Sequence, residues 1–212
     1  MSELNKEKEI VLIGYSGHSF EIIDIIISLG YKIKGYSEIS EKKNNPYGIK
    51  YLGDENKVNF KYLDNRYLFF IALGNNLIRN KKSDLLDLIG LEQINVIHPD
   101  SSISERIKIG YGNFISRNSS INNAVEIGNS VIINTAAVIE HECKIESVAH
   151  IGPGVVLCGG VTIKKGAFIG ANSVIKENVC IGKNVVIGAG SVVLQNISDN
   201  SLAFGNPSRI KK

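Results

Sequence analysis

Tryptophan is absent from this 212-residue chain, methionine occurs once, proline four times and cysteine three times. The three cysteines, Cys143, Cys158 and Cys180, form no C-x-x-C pair and leave one unpaired. That excludes a disulfide framework and points to reduced thiols in a cytoplasmic protein. Runs of lysine and arginine are missing and the formal net charge is only +3, which excludes a nucleic-acid partner. The longest apolar stretches, such as IIDIII, are too short to span a bilayer. The opening MSELNKEKEI carries both charge signs and lacks an apolar core, so it reads as no signal peptide. Glycine, by contrast, is abundant at 21 residues, and its distribution needs a reason.

Two regions follow different rules. Residues 1–96 alternate strand-like and helix-like segments. EIVLIG (9–14) is an apolar run ending in glycine. FEIIDIIISLG (20–30) has helical spacing, with Phe20, Ile23, Ile26 and Ile27 able to share a face and Gly30 as its stop. YKIKGY (31–36) and YLFFIALG (67–74) predict two further strands, 76–90 a helix, and INVIHP (94–99) another strand. Alternation of this size predicts an α/β, Rossmann-like unit with a parallel sheet.

From Ile97 to Val193 every sixth residue is aliphatic, seventeen positions of which fifteen are Ile. Glycine follows at 110, 128, 152, 170, 182 and 188, and a small or β-branched residue stands four positions after the aliphatic one, from Val125 to Ser191. A six-residue period is neither helix nor ordinary strand. It predicts an all-β parallel β-helix of hexapeptide repeats over 97–212, three short strands to a triangular coil, with the aliphatic residues inward and the last segment as a cap. Glycine is expected at the turns, where it permits unusual backbone angles.

Within this register His141 stands two residues after an inward Ile and His150 five after one, so both are expected outside the inward stack. Glu140 and Glu142 flank His141, and a neighbouring carboxylate favours imidazolium, which suits a general base near neutral pH. A single prism face is flat, so such a histidine gains a pocket only when another copy packs against it. Zinc needs a third imidazole, and His98 lies about two coils away. A non-catalytic trimeric scaffold needs no acid-flanked base on one coil only. In the front region Gly14-Tyr15-Ser16-Gly17-His18 stands between a strand and a helix N-terminus, a place suited to phosphate. The full GxGxxG fingerprint is missing, so NAD is weakly supported. Glu38, just after the second strand, is placed for hydroxyls of a ribose or for a base edge, and Gly74-Asn75-Asn76 ends the third strand beside the same crevice.

GYSGHSFEIID, FFIALGNNLIR, NTAAVIEHECKI and the six-residue repeat together resemble the bacterial nucleotide-sugar acetyltransferases of the left-handed β-helix class, over almost the whole chain and in order. That family includes sialic-acid O-acetyltransferases and N-acetyltransferases of UDP-4-amino sugars, the latter branch being the nearer. The resemblance implies a homotrimer with acetyl-CoA in the groove between neighbouring β-helices. It implies a nucleotide sugar on the N-terminal domain, with its amine reaching the groove. His141 aligns with the family's general base and Glu142 with the carboxylate that strengthens it. His150 aligns with a residue near the acetyl carbonyl, and Gly159, Ala171 and Ala189 with backbone contacts to CoA. Ser16, Gly17, His18 and Gly74 match substrate-binding positions, and Asn134 matches a residue of the amine pocket. Ser37 and Glu38 stand where the family often has two adjacent acids, so GDP- and dTDP-linked amino sugars stay open beside UDP, as does O-acetylation of a sialic acid or related sugar. No metal and no membrane span are expected.

Overall fold

The computed structural model describes residues 7–211. The signal-peptide reading falls mostly on residues 1–6, outside the described residues, as does residue 212. The chain divides into two compact units, Met1–Val96 and Ile97–Lys212.

The first unit holds a four-stranded sheet of β1 (Ile10–Ile13), β2 (Ile33–Ser37), β3 (Tyr51–Gly53) and β4 (Leu68–Ile71), in the order β3-β2-β1-β4. All neighbours are parallel. Helix α1 (Gly17–Ser28) joins β1 to β2, and helix α2 (Asn76–Leu88) follows β4. β1 and β4 are uniformly buried aliphatic and aromatic runs, as strands covered on both faces require. Leu86 of α2 packs with Val11, Ile13, Phe69 and Ile71 in one cluster. β3 had no signature in the sequence. Its three residues are only half-buried, and pairing rather than hydrophobic length defines it. Gly35 permits that pairing, because a Cβ there would lie 2.5 Å from the Lys50 carbonyl oxygen. α1 begins three residues earlier than the apolar pattern indicates, and its inward face is Ser19, Ile22, Ile23, Ile25 and Ile26. Ile27 is 53% exposed, so the face drawn through Phe20, Ile23, Ile26 and Ile27 was rotated. Gly30 does end the helix, with φ +80. The strand expected over 94–99 shortens to Val96–Ile97.

In the second unit, sixteen two-residue strands run from Ser102–Ile103 to Val192–Val193 among the described residues. Each pairs in parallel with the strand one coil on, as Ile127 with Ile145 and Ile145 with Ile163. Three sheets result, the faces of a triangular β-helix. The aliphatic column is its core: Ile115, Ile133, Ile151, Ile169 and Ile187 are all fully buried along one face. Each such side chain contributes about 1.5–3 kcal/mol through burial.

The glycines serve the prism in two ways, and only one of them is the expected turn angle. Positive φ recurs every sixth residue from Gly112 to Gly190, three positions after each aliphatic residue. Glycine or asparagine fills it at 112, 118, 154, 160, 166, 172, 178, 184 and 190, but Ala124, Ser130, Ala136, Glu142 and Val148 hold it mid-prism. The glycines directly after the aliphatic residue meet a different demand. A Cβ on Gly152 would lie 2.6 Å from the Ile169 carbonyl oxygen, and one on Gly170 2.5 Å from the Ala189 nitrogen. They are small because the next coil lies against them. The tail keeps to the prism longer than its sequence suggests. Ile197 bridges Ile181, and Leu202–Gly205 pairs with Val186–Ile187 and then with Ser208–Ile210.

Candidate active site

In the second unit, the corner after strand Val138–Ile139 carries His141. Its imidazole Nδ1 lies 3.0 Å from Glu142 Oε2, and the side chain is 58% exposed. Glu142 reaches the ring from a left-handed backbone, φ +60, a conformation costly for a residue with a Cβ. The other flanking acid is committed elsewhere: Glu140 Oε2 accepts a hydrogen bond from Asn122 Nδ2 at 3.0 Å. One coil on, Gly159 lies under the imidazole. A Cβ there would stand 2.6 Å from His141 Cε1 and 2.7 Å from Nε2. The Gly160 N–H donates to the His141 carbonyl at 2.9 Å, which locks the two coils together at this point.

His150 is half-buried on strand His150–Ile151, between Ile132 and Phe168, with its ring edge-on to Phe168 at 4.9 Å. Asn134, Ala171 and Ala189 occupy the corner that follows this second face. Asn134 Oδ1 accepts from the Thr135 N–H at 2.8 Å. The N–H groups of Gly159, Ala171 and Ala189 have no protein acceptor among the described residues. His141 and Gly159 therefore stand on one edge of the prism, Asn134, Ala171 and Ala189 on the adjacent edge, and His150 on a face that His141 does not adjoin. One copy of the chain does not gather them.

Burial disfavours the thiolate form of both nearby cysteines. Burial pushes Cys143 up to about 11, and its Sγ donates to the Cys158 carbonyl at 3.2 Å. Cys158 follows the inward Leu157 directly and is half-buried, with its pKa raised by burial and then by Glu177 and Glu140. No three His, Cys, Asp or Glu side chains converge as a metal-ligand set among the described residues. None of the described helices is long and apolar enough to cross a membrane.

In the first unit, β1 and β4 part their connections at the C-terminal edge, where open parallel sheets bind ligands. Gly14, with φ +100, brings this edge together: its missing Cβ would lie 2.5 Å from Leu73 Cδ2. Ser16 and Gly17 are exposed at the start of α1, and the space beside Gly17 and Gly74 is open. His18 is half-buried. Its pKa is lowered by burial, against Glu21 and with the added repulsion of Arg79. Glu38 reaches back to the β1–α1 loop, accepting from the Tyr15 N–H at 3.2 Å and pairing with Lys42 at 3.4 Å. Ser37 is placed differently from expectation. It is fully buried, and its hydroxyl bonds to the Gly53 carbonyl and the Glu55 carboxylate, so it fastens β2 to the segment after β3. Sequence reasoning missed Arg79, which is 1% exposed and donates to the carbonyls of Leu73 and Gly74, both at 3.0 Å. An arginine at a helical position looks like a solvated residue, and only the folded loop reveals its burial.

The comparisons with known proteins cover both units. Residues 9–86 match the PglD N-terminal domain, and residues 142–177 and 160–195 match the bacterial transferase hexapeptide repeats. PerB from Caulobacter crescentus, solved in complex with CoA and GDP-perosamine, is 30% identical, with TM-score 0.88 over 96% of this chain and 97% of that one. A histidine-to-asparagine mutant of perosamine N-acetyltransferase from the same organism, with the same ligands, is 29% identical with TM-score 0.91 over the same shares. The acetyltransferase domain of PglB from Neisseria gonorrhoeae, in complex with acetyl coenzyme A, is 25% identical, with TM-score 0.89 over 96% and 99%. No curated protein sequence matches the chain.

Proposed function

The chain belongs to the left-handed β-helix sugar N-acetyltransferases that join a PglD N-terminal domain to hexapeptide repeats, enzymes that use acetyl-CoA, and on that premise we propose that it acetylates the 4-amino group of a nucleotide-linked sugar. The observation that carries this reading is the His141–Glu142 pair over Gly159 on a coil that the fold does not require to be polar.

His141 is the general base. With Nδ1–H held by Glu142, Nε2 is the basic nitrogen and takes a proton from the amine as it attacks the thioester. Glu142 orients the ring and stabilises the imidazolium that forms. Attack is direct, because both neighbouring thiols are held protonated. Nitrogen bonds to the acetyl carbon, the carbon–sulfur bond breaks and CoA leaves as the thiol. The unpaired N–H groups of Gly159, Ala171 and Ala189 suit the amide carbonyls of the pantetheine arm, and the family resemblance assigns His150 to the acetyl carbonyl. These groups lie on two edges and a face of one prism, so the site is built between copies of a homotrimer. The first unit holds the nucleotide sugar at the β1–β4 edge through Ser16, Gly17, His18, Gly74 and Glu38, and Asn134 lines the amine pocket.

UDP is the nucleotide favoured by the IEHEC and FFIALGNN segments. The PerB complex with GDP-perosamine favours GDP as the second choice. Incubation with acetyl-CoA and UDP-, GDP- and dTDP-4-amino sugars, followed by free thiol release, tests the proposal. Turnover with one 4-amino sugar, and none with its 4-hydroxy counterpart, is expected. Thiol release only with hydroxyl acceptors such as sialic acid would replace it with O-acetylation.

A further inference from the structure

Among the described residues of the first unit, the most deeply buried charge is Arg79, on the first turn of α2. Removing a guanidinium from water is costly unless its donors are all used. Nη1 donates to the carbonyls of Leu73 and Gly74, and Nη2 donates to Asn76 Oδ1 at 2.9 Å. Burial lowers its pKa to about 9, so it remains charged at neutral pH. Capping the helix does not require it, because Asn75 Oδ1 already accepts from the Ile78 N–H at 3.1 Å.

Its bonds fix the direction of two peptide planes. In a trans peptide the N–H points opposite the carbonyl. Arg79 draws the Leu73 and Gly74 carbonyls toward itself, so the N–H groups of Gly74 and Asn75 face the other way. Neither N–H has a protein acceptor among the described residues. Beside them lies the open space at Gly74, and Leu73 abuts Gly14 of the β1–α1 loop.

We infer that Arg79 is a positioning residue for the nucleotide sugar: from beneath the Leu73–Asn76 loop it aims the Gly74 and Asn75 N–H groups at the diphosphate without touching the ligand. The inference rests on the substrate reading above. Its charge also adds to the field at that edge, where it disfavours the protonated form of His18.

Arg79→Met keeps the bulk and removes the donors, and Arg79→Lys restores the charge but not the planar fork that reaches both carbonyls at once. Asn76→Ala removes a single acceptor and serves where Arg79→Met does not fold. The measurements are KM for the nucleotide sugar, KM for acetyl-CoA, kcat, Kd for UDP and GDP by calorimetry, and the melting temperature. For Arg79→Met, KM and Kd are expected to rise about tenfold or more, the loss that accompanies one charge-assisted hydrogen bond. Partial recovery is expected in Arg79→Lys and a rise of about threefold in Asn76→Ala, with kcat and KM for acetyl-CoA within about twofold. Unchanged KM and Kd in folded variants overturn the inference, as does a loss of kcat that merely follows the melting temperature. A wild-type protein that binds neither nucleotide and acetylates no nucleotide amino sugar overturns the substrate reading itself, and the inference with it.

Discussion

Gly159 and His141 are neighbours across one coil, and the absence of a side chain at 159 decides where the imidazole lies. The atoms that an added Cβ would meet are the far end of a flexible, exposed side chain. Gly159→Ala therefore swings the ring rather than breaking the coil. Turnover is expected to fall about tenfold to a hundredfold with a melting temperature within about 2 °C of wild type, because small misplacements of a catalytic base cost rate and not stability. Glu142→Gln leaves the turn in place and removes the charge beside Nδ1. Its kcat is expected to fall about tenfold or more with both KM values kept, since the imidazolium that forms on proton transfer loses its counter-charge. His18 gives a stability prediction of definite sign. Its folded pKa lies below 6.5, so the unfolded chain binds the proton first as pH falls. Stability is lost as pH drops from about 6.5 through that lower value. Melting curves between pH 7.5 and 5 are expected to show a steeper decline for wild type than for His18→Asn.

At the scale of elements, the β-helix was legible because its repeat is written in single residues. Each aliphatic position maps to one inward side chain, and the period survives from Ile97 to Val193. The turn was less legible. Its defining backbone angle falls on residues as unlike as Gly154, Asn172, Ala136 and Val148, because stacked coils hold the angle whatever the side chain. Ala124 and Ala136 are exposed in this conformation, and replacing either with Asn or Gly is expected to stabilise by about 0.5–1 kcal/mol in denaturant titrations. Gly170→Ala meets the backbone of the following coil and is expected to cost more than about 2 kcal/mol. In the first unit, β3 and the inward commitment of Ser37 were illegible because both depend on pairing with distant segments. Arg79 was hidden for the same reason. The choice between Glu140 and Glu142 came from family resemblance alone; in the structure Asn122 holds Glu140, and Glu142 is the acid that faces His141 Nδ1.

For the whole molecule, the candidate residues lie on two edges and a face of one prism, and the proposed reading requires a trimer to bring them together. Light scattering is expected to give the mass of three chains. Mixing two inactive variants offers a sharper check. His141→Asn damages one edge and Ala171→Trp the other, so co-refolded mixtures are expected to regain part of the wild-type turnover, and a site confined to one chain predicts none. The central claim is that His141 is the base for acetyl transfer from CoA to a nucleotide-linked amine. Its most direct test is the steady-state kcat of His141→Asn with the sugar that wild type turns over. A fall of about 10²–10⁴ with the trimer and both KM values preserved is the predicted result. Turnover within about tenfold of wild type would contradict the account.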